Sequence, residues 1–139
     1  MIVVDTNVIS ELLRAIPDKE VLRWAGRVDA NTLCTTAVSK AELLAGVATM
    51  AEGKKRAELQ KTIDTILAQS FGQRILPFDS DAATQYATVI AKRKAAGRPI
   101  KDADAMIAAI CLSRGATIIT RDLNGFGFLG IDVFNPWTD

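Results

Sequence analysis

The chain contains no histidine. That absence removes Ser-His and Cys-His nucleophile pairs, imidazole general bases and every zinc site built on imidazole. There are two cysteines, Cys34 and Cys111. They lie far apart in sequence, each in apolar surroundings, so a thiolate zinc site is excluded and both read as reduced core residues. Any metal must be held by oxygen, which favours Mg²⁺, Mn²⁺ or Ca²⁺. No apolar run approaches the roughly 20 residues that span a bilayer. No basic stretch followed by a long apolar one opens the chain, so the expectation is a cytoplasmic protein with neither a leader nor a membrane segment. An excess of one charge is also missing: Lys and Arg total 17 against 16 Asp and Glu. Bulk electrostatics therefore neither requires nor forbids a nucleic-acid partner.

What is present is an alternation of apolar strands and helices. The 139 residues suffice for one domain with a real core. "IVVD" at 2–5 reads as a buried strand, and Thr6 as the cap of a helix running to about Ala15, closed by Pro17. "DKEVLRWAGR" reads as a helix with Val21, Leu22, Trp24 and Ala25 on its apolar side. "TLCTTA" at 32–37 is a β-branched strand, followed by a helix over "SKAELLAGVATM". Residues 54–71 are amphipathic, with Leu59, Ile63, Ile66 and Leu67 at helical spacing, and Gly72 ends them. "RILPF" carries a proline and suits an edge strand. Residues 80–96 read as a helix with Ala83, Ala87 and Ile90 in phase. Asp102 to Arg114 is a helix capped by Gly115. "ATIIT" at 116–120 and "GIDVF" at 130–134 close the pattern as strands. Strands apolar on both faces, alternating with helices, predict an α/β fold with a short central parallel sheet between helical layers, in a single unit over 1–139.

Ligands of such sheets bind outside the carboxyl ends of the strands. Asp5 follows the first strand and Asp122 follows the "ATIIT" strand. Glu42 lies in the first turns of the helix after the second strand. Asp102 and Asp104 begin a later helix, which reaches the same edge if its loop folds back. Each acid also has a local use: Asp5 as part of a helix cap, Ser39-x-x-Glu42 as a capping box, Asp102 and Asp104 as first-turn carboxylates, Asp122 as a turn residue. Gathered at one edge, however, two carboxylates about 4 Å apart repel by roughly 4 kcal/mol at an effective dielectric of about 20. A divalent cation relieves that repulsion. Mg²⁺ suits carboxylates and phosphates together, so the arrangement points to phosphoryl chemistry with metal-activated water.

The segments "VVDTNVIS", "SKAELLAG", "DADAMIAAICLSRGATIITRD" and the closing "NPW" occur in the order of the PIN domain, and the chain resembles the VapC toxins, especially their FitB-like subgroup. The resemblance covers essentially the whole chain. It implies a PIN-like α/β/α fold and a Mg²⁺-dependent endoribonuclease, with Mn²⁺ as a substitute, acting as the toxin of a type II toxin–antitoxin pair. It implies a homodimer and a small DNA-binding antitoxin of the VapB/FitA kind, assembled into a larger complex. Matched position by position, the family's four acids fall on Asp5, Glu42, Asp104 and Asp122. Asp5 and Asp104 are the expected metal ligands. Thr6 and Thr120 would support the acids from behind. Asp102, two residues before Asp104, competes for the third place and otherwise reads as a helix cap.

The run Lys92, Arg93, Lys94, Arg98 and Lys101 leads into the acidic segment. It reads either as solvated charge at a helix end or as phosphate contacts, with Arg98 and Lys101 the foremost candidates. Arg121 sits between Thr120 and Asp122 and is a third candidate. Lys54, Lys55 and Arg56 read as solvated surface; Trp24 and Trp137 read as base-stacking rings or as packing residues, with packing the preferred reading. Leu12, Leu13, Val21 and Leu22 serve either the core or the antitoxin. Two other functions remain open at this point: a metal-dependent nuclease or phosphatase acting on DNA or another phosphate, and a non-catalytic interaction module.

Overall fold

A computed structural model describes residues 1–139. The elements are β1 (Ile2–Val4), α1 (Thr6–Leu12), α2 (Lys19–Arg27), β2 (Leu33–Thr36), α3 (Ala37–Ala48), α4 (Lys54–Thr65), β3 (Ile75–Leu76), α5 (Ser80–Ala95), α6 (Asp102–Arg114), β4 (Thr117–Ile119) and β5 (Val133–Phe134). The strands pair in parallel throughout, in the order β3-β2-β1-β4-β5. Successive strand side chains point to opposite faces, and the sheet is covered on both. Val3 and Ile118 enter a core with Val89, Ile107 and Ile110 from α5 and α6. Val4 and Ile119 enter a second core with Val8, Val21, Leu43 and Ile63 from the first four helices. That double burial is why the strands read as unbroken apolar runs. Each fully buried Val or Ile contributes about 1.5–3 kcal/mol. Both cysteines are free and buried, as expected, and burial pushes the Cys111 thiol up to about 12, which keeps it inert.

The topology sets the site. From β1 the chain adds β2 and then β3 on one side, and returns across β1 to place β4 on the other. The switch point therefore lies between β1 and β4, and the crevice of such a sheet opens at their carboxyl ends.

Several local expectations are corrected. The cap of α1 is Asp5, whose side chain accepts from the Thr6 backbone N–H, so Thr6 is the first helical residue and not the cap. The helix stops at Leu12 because Glu11, buried, accepts from the Asp18 N–H at 3.0 Å and from Arg14, drawing the chain into a turn before Pro17. The cap of α3 is Thr36, which accepts from the Ser39 N–H at 3.0 Å, so Ser39 and Glu42 form no capping box. The long amphipathic segment is α4 followed by a π-helical turn, Ile66–Phe71, which places Leu67 and Phe71 in the core. On α5 the buried face is Ala82, Val89 and Arg93, one position away from the expected phase of Ala83, Ala87 and Ile90. On α2 Val21 is buried while Leu22 is 47% exposed. Leu12, Leu13 and Trp24 pack against the second core.

Candidate active site

An open cleft of about 520 Å³ lies at the switch point, lined by Asp5, Asn7, Glu42, Asp104, Arg121 and Trp137 among others. Its floor is built from the ends of β1 and β4. The Asp5 N–H donates to the Ile119 carbonyl at 2.9 Å, which continues the sheet one residue past β1. Beside it the Thr120 hydroxyl donates to Asp5 Oδ2 at 2.7 Å, and the Thr6 N–H donates to Oδ1 at 2.8 Å. Asn7 adds a third tie: its amide donates to Thr120 Oγ1 at 3.1 Å and to Asp5 Oδ2 at 3.4 Å, while its oxygen accepts from the Arg121 N–H. Asp5 thus caps α1 with one oxygen and has the other held by side chains, so the local and the chemical uses coexist.

Glu42 arrives from α3. The Thr6 hydroxyl donates to its Oε1 at 2.7 Å, which links α1 to α3 across the cleft. Asp104 arrives from the first turn of α6. The electrostatics record their proximity. Burial pushes the Asp5 carboxyl up to about 6, assisted by the charges of Asp104 and Glu42 and opposed by the Thr120 and Thr6 hydrogen bonds. Burial also raises Asp104, with Asp122 and Glu42 adding to it and Lys101 and Arg93 opposing. These are carboxylates that the fold holds together against their own repulsion.

Asp122 does not line the cleft, although its charge acts on Asp104. Its backbone N–H donates to Thr120 Oγ1 at 3.1 Å, and its Oδ1 accepts from the Gly125 N–H at 2.8 Å. Asp102 lies outside the cleft: it is exposed, it caps nothing, and the Tyr86 hydroxyl donates to it at 3.4 Å. Arg121 lines the cleft with its guanidinium 5.0 Å from the centre of the Trp137 ring. Trp137 therefore does more than pack. Lys101 flanks Asp104, whereas Arg98 lies over Phe128, and neither of that pair lines the cleft.

Arg93 overturns both readings of the basic run as applied to it. It is 5% exposed and donates to the carbonyls of Arg98, Asn124, Gly125 and Gly127. It is neither solvated charge nor a phosphate contact; it holds two loops together. Asn7 was the residue sequence reasoning passed over, although it is the third letter of "DTN". Ser10, Glu11 and Arg14 follow it around the cleft at helical spacing, a polar stripe that the periodicity of α1 could have shown.

The PIN domain model matches residues 2–127. A VapC ribonuclease of Sinorhizobium fredii is 42% identical over 137 residues, covering 99% of this chain and 98% of that protein. Toxin FitB of Neisseria gonorrhoeae is 39% identical over 139 residues, covering both chains fully at 100%. The chain belongs to the PIN domain family, among its VapC and FitB toxins. The crystal structure of FitAcB from Neisseria gonorrhoeae superposes on this PIN domain with a TM-score of 0.94 at 38% identity, covering 100% of each chain. A structure of FitAB bound to a DNA fragment gives 0.93 at 38% identity, covering 99% of this chain and 96% of that one.

PIN ribonucleases depend on a divalent cation, and the donor chemistry here fits one. The cleft offers carboxylate oxygen and neither sulfur nor imidazole. No three of the acidic side chains lie close enough together to hold a metal ion between them.

Proposed function

We propose that this chain is the toxin of a toxin–antitoxin pair, an endoribonuclease that hydrolyses RNA phosphodiester bonds with Mg²⁺ held by Asp5 and Asp104. The observation that carries the reading is the convergence of Asp5, Asp104 and Glu42 in one cleft, where burial, with the charges of Asp104 and Glu42 adding to it, raises Asp5 to about 6. When bound, the ion polarises the phosphodiester and lowers the pKa of water. The chain's own groups do the rest. Thr120, Asn7 and the Thr6 N–H fix the Asp5 carboxylate so that it need not reorganise during the reaction. Thr6 orients Glu42 through Oε1, leaving the other oxygen to accept from an attacking water. Arg121 offsets phosphate charge at the cleft wall, and Lys101 does so beside Asp104.

The partners follow from the relatives. FitB is seen with its partner in FitAB, bound to DNA. By that likeness the proposed partner is a small DNA-binding antitoxin of the VapB/FitA kind, and the toxin is a homodimer within a larger complex. No helix is long and apolar enough to cross a membrane, in keeping with a cytoplasmic place of action. Residues 1–139 are taken as one PIN unit, because β5, beyond the matched segment, pairs with β4 in the same sheet.

Incubation of the purified chain with RNA and with DNA tests the reading. RNA is cut with Mg²⁺ or Mn²⁺, cutting stops with EDTA, and DNA stays intact. Equal cleavage of DNA would move the chain to a general phosphodiesterase, and cutting that survives EDTA would remove the metal from the account.

Asp122 has its own test. A Cβ at Gly125 would lie 2.3 Å from Asp122 Oδ2, the movable tip of that side chain. Gly125→Ala therefore displaces the carboxylate without altering it chemically. The expected result is a fall in RNA cleavage of roughly tenfold or more with folding stability within about 1 kcal/mol of the parent, read by cleavage rates and urea unfolding. Unchanged cleavage would take Asp122 out of the site.

A further inference from the structure

Phe128 breaks two habits of its residue type. Its ring is 63% exposed, and its φ of 68° makes it the one non-glycine residue in the left-handed region. A bulky side chain rarely accepts that conformation unless the surroundings impose it. The surroundings are identifiable. Arg93, buried under the surface, donates through Nε to the Arg98 carbonyl at 2.6 Å and through Nη1 to the carbonyls of Asn124, Gly125 and Gly127 at 2.9, 2.9 and 3.0 Å. One guanidinium thus ties the backbone of Arg98 to the residue just before Phe128. Above this frame the Arg98 guanidinium lies 5.6 Å from the centre of the Phe128 ring.

The two loops so joined adjoin two of the acids in the chain. Arg98 and Lys101 precede Asp104 into α6, and Phe128 follows Asp122 out of β4. An acidic cleft repels a polyanion, so a nucleic-acid substrate needs cations and stacking surfaces at its rim. A ring stacks on any base, and a guanidinium binds phosphate as a fork and stacks as well. We propose that Phe128 and Arg98 form a subsite for single-stranded RNA beside the acidic cleft, the ring stacking a nucleobase and the guanidinium taking the neighbouring phosphate. Arg93 is its positioning residue. The proposal rests on the RNA reading above. An exposed ring with a guanidinium over it favours a polyanion over the apolar insert of a protein partner.

The test uses the full chain carrying Asp104→Asn, so that RNA survives the measurement, and a fluorescent single-stranded RNA of about 12 nucleotides, within the span of known single-strand sites. Phe128→Asn removes the ring and suits the left-handed backbone. It weakens RNA binding by roughly tenfold or more, and Phe128→Trp restores it. Arg98→Met weakens binding and lowers the slope of log affinity against log salt by about 0.7, the value for one lost phosphate contact on a single strand. Phe128→Asn leaves that slope unchanged. With Asp104 restored, Phe128→Asn raises KM for RNA. Should Phe128→Asn fail to fold, Phe128→Leu against Phe128→Trp reads the same loss of stacking. Cleavage of RNA with KM unmoved by Phe128→Asn overturns the subsite and leaves the nuclease reading standing. Absence of both RNA binding and RNA cleavage in the unaltered chain overturns the two together. Loss of binding to the purified antitoxin, with RNA binding intact, assigns the surface to the protein partner instead.

Discussion

Asp5→Asn and Asp104→Asn are expected to lower RNA cleavage by on the order of 10²–10⁴-fold, the range seen when a positioned charged group is removed from a reacting centre, while the protein stays folded. For Asp5 the second half of that expectation is the sharper one. Its carboxyl titrates at about 6 in the folded chain against an ordinary 3.8. At pH 7.5 the ionised group therefore opposes folding by up to about 3 kcal/mol. The sign follows from the direction of the shift. A carboxyl raised in the folded state favours folding below its unfolded pKa near 3.8, and that contribution is lost as pH rises through about 6. Asparagine carries no such charge. It retains an oxygen for the Thr6 N–H but loses an acceptor for Thr120, at a cost of about 1 kcal/mol. The metal-free variant is thus expected to be about 1–2 kcal/mol more stable than the parent at pH 7.5, and to lose that advantage near pH 4. Urea unfolding in EDTA across that range measures the difference. A variant that is inactive and also less stable at pH 7.5 would make Asp5 a helix cap above all.

Arg93→Met is expected to be the most destabilising single change outside the apolar core. Methionine keeps the length of the stem but leaves the carbonyls of Arg98, Asn124, Gly125 and Gly127 without their donor. A stranded acceptor costs about 1–3 kcal/mol where water cannot reach it; these four carbonyls are only partly buried, so the loss is about 2–4 kcal/mol in total. That is a large share of the roughly 5–15 kcal/mol that stabilises a domain. Lysine keeps the charge but not the planar fork, and Arg93→Lys recovers less than half. Urea midpoints for the two variants decide it. A Lys variant equal to the parent would show that charge, not the fork, holds the loops.

Arg93 also shows where reading the sequence stops. Lys92, Arg93 and Lys94 look alike as a charge run, yet Arg93 falls four residues after Val89 on the buried face of α5. The alanines at 83 and 87 set a phase one position away and hid it. An alanine stripe is weak evidence for a face, since alanine is at home on either side of a helix. The inner strands β1, β2 and β4 were legible because they are buried on both faces and so read as short apolar or β-branched runs. The π-helical turn at Ile66–Phe71 was not, because it is imposed by the packing of Leu67 and Phe71 and leaves no local signal.

The site divides in the same way. Asp5, Glu42, Asp104 and Asp122 were legible as acids next to strand ends and helix starts, and the family motifs marked them. Their relative standing was not. That Glu42 is held by Thr6 and not by a capping box depends on how α1 meets α3. That Asp102 faces Tyr86 depends on how α5 meets α6. Both are tertiary facts with no counterpart in spacing. The loop from 122 to 128 carried the least signal and holds much structure, with Asp122 folded onto Gly125, Gly127 held by Arg93, and the exposed Phe128 ring against Arg98.

Calorimetric titration of Mg²⁺ into the metal-free chain tests the central claim most directly, because it asks whether the acids hold the ion proposed for them. The unaltered chain should bind Mg²⁺ at pH 7.5 and bind it more weakly at pH 5, where protons compete for Asp5. Asp104→Asn, folded, should show no saturable binding. An isotherm for Asp104→Asn that matches the parent would contradict the account.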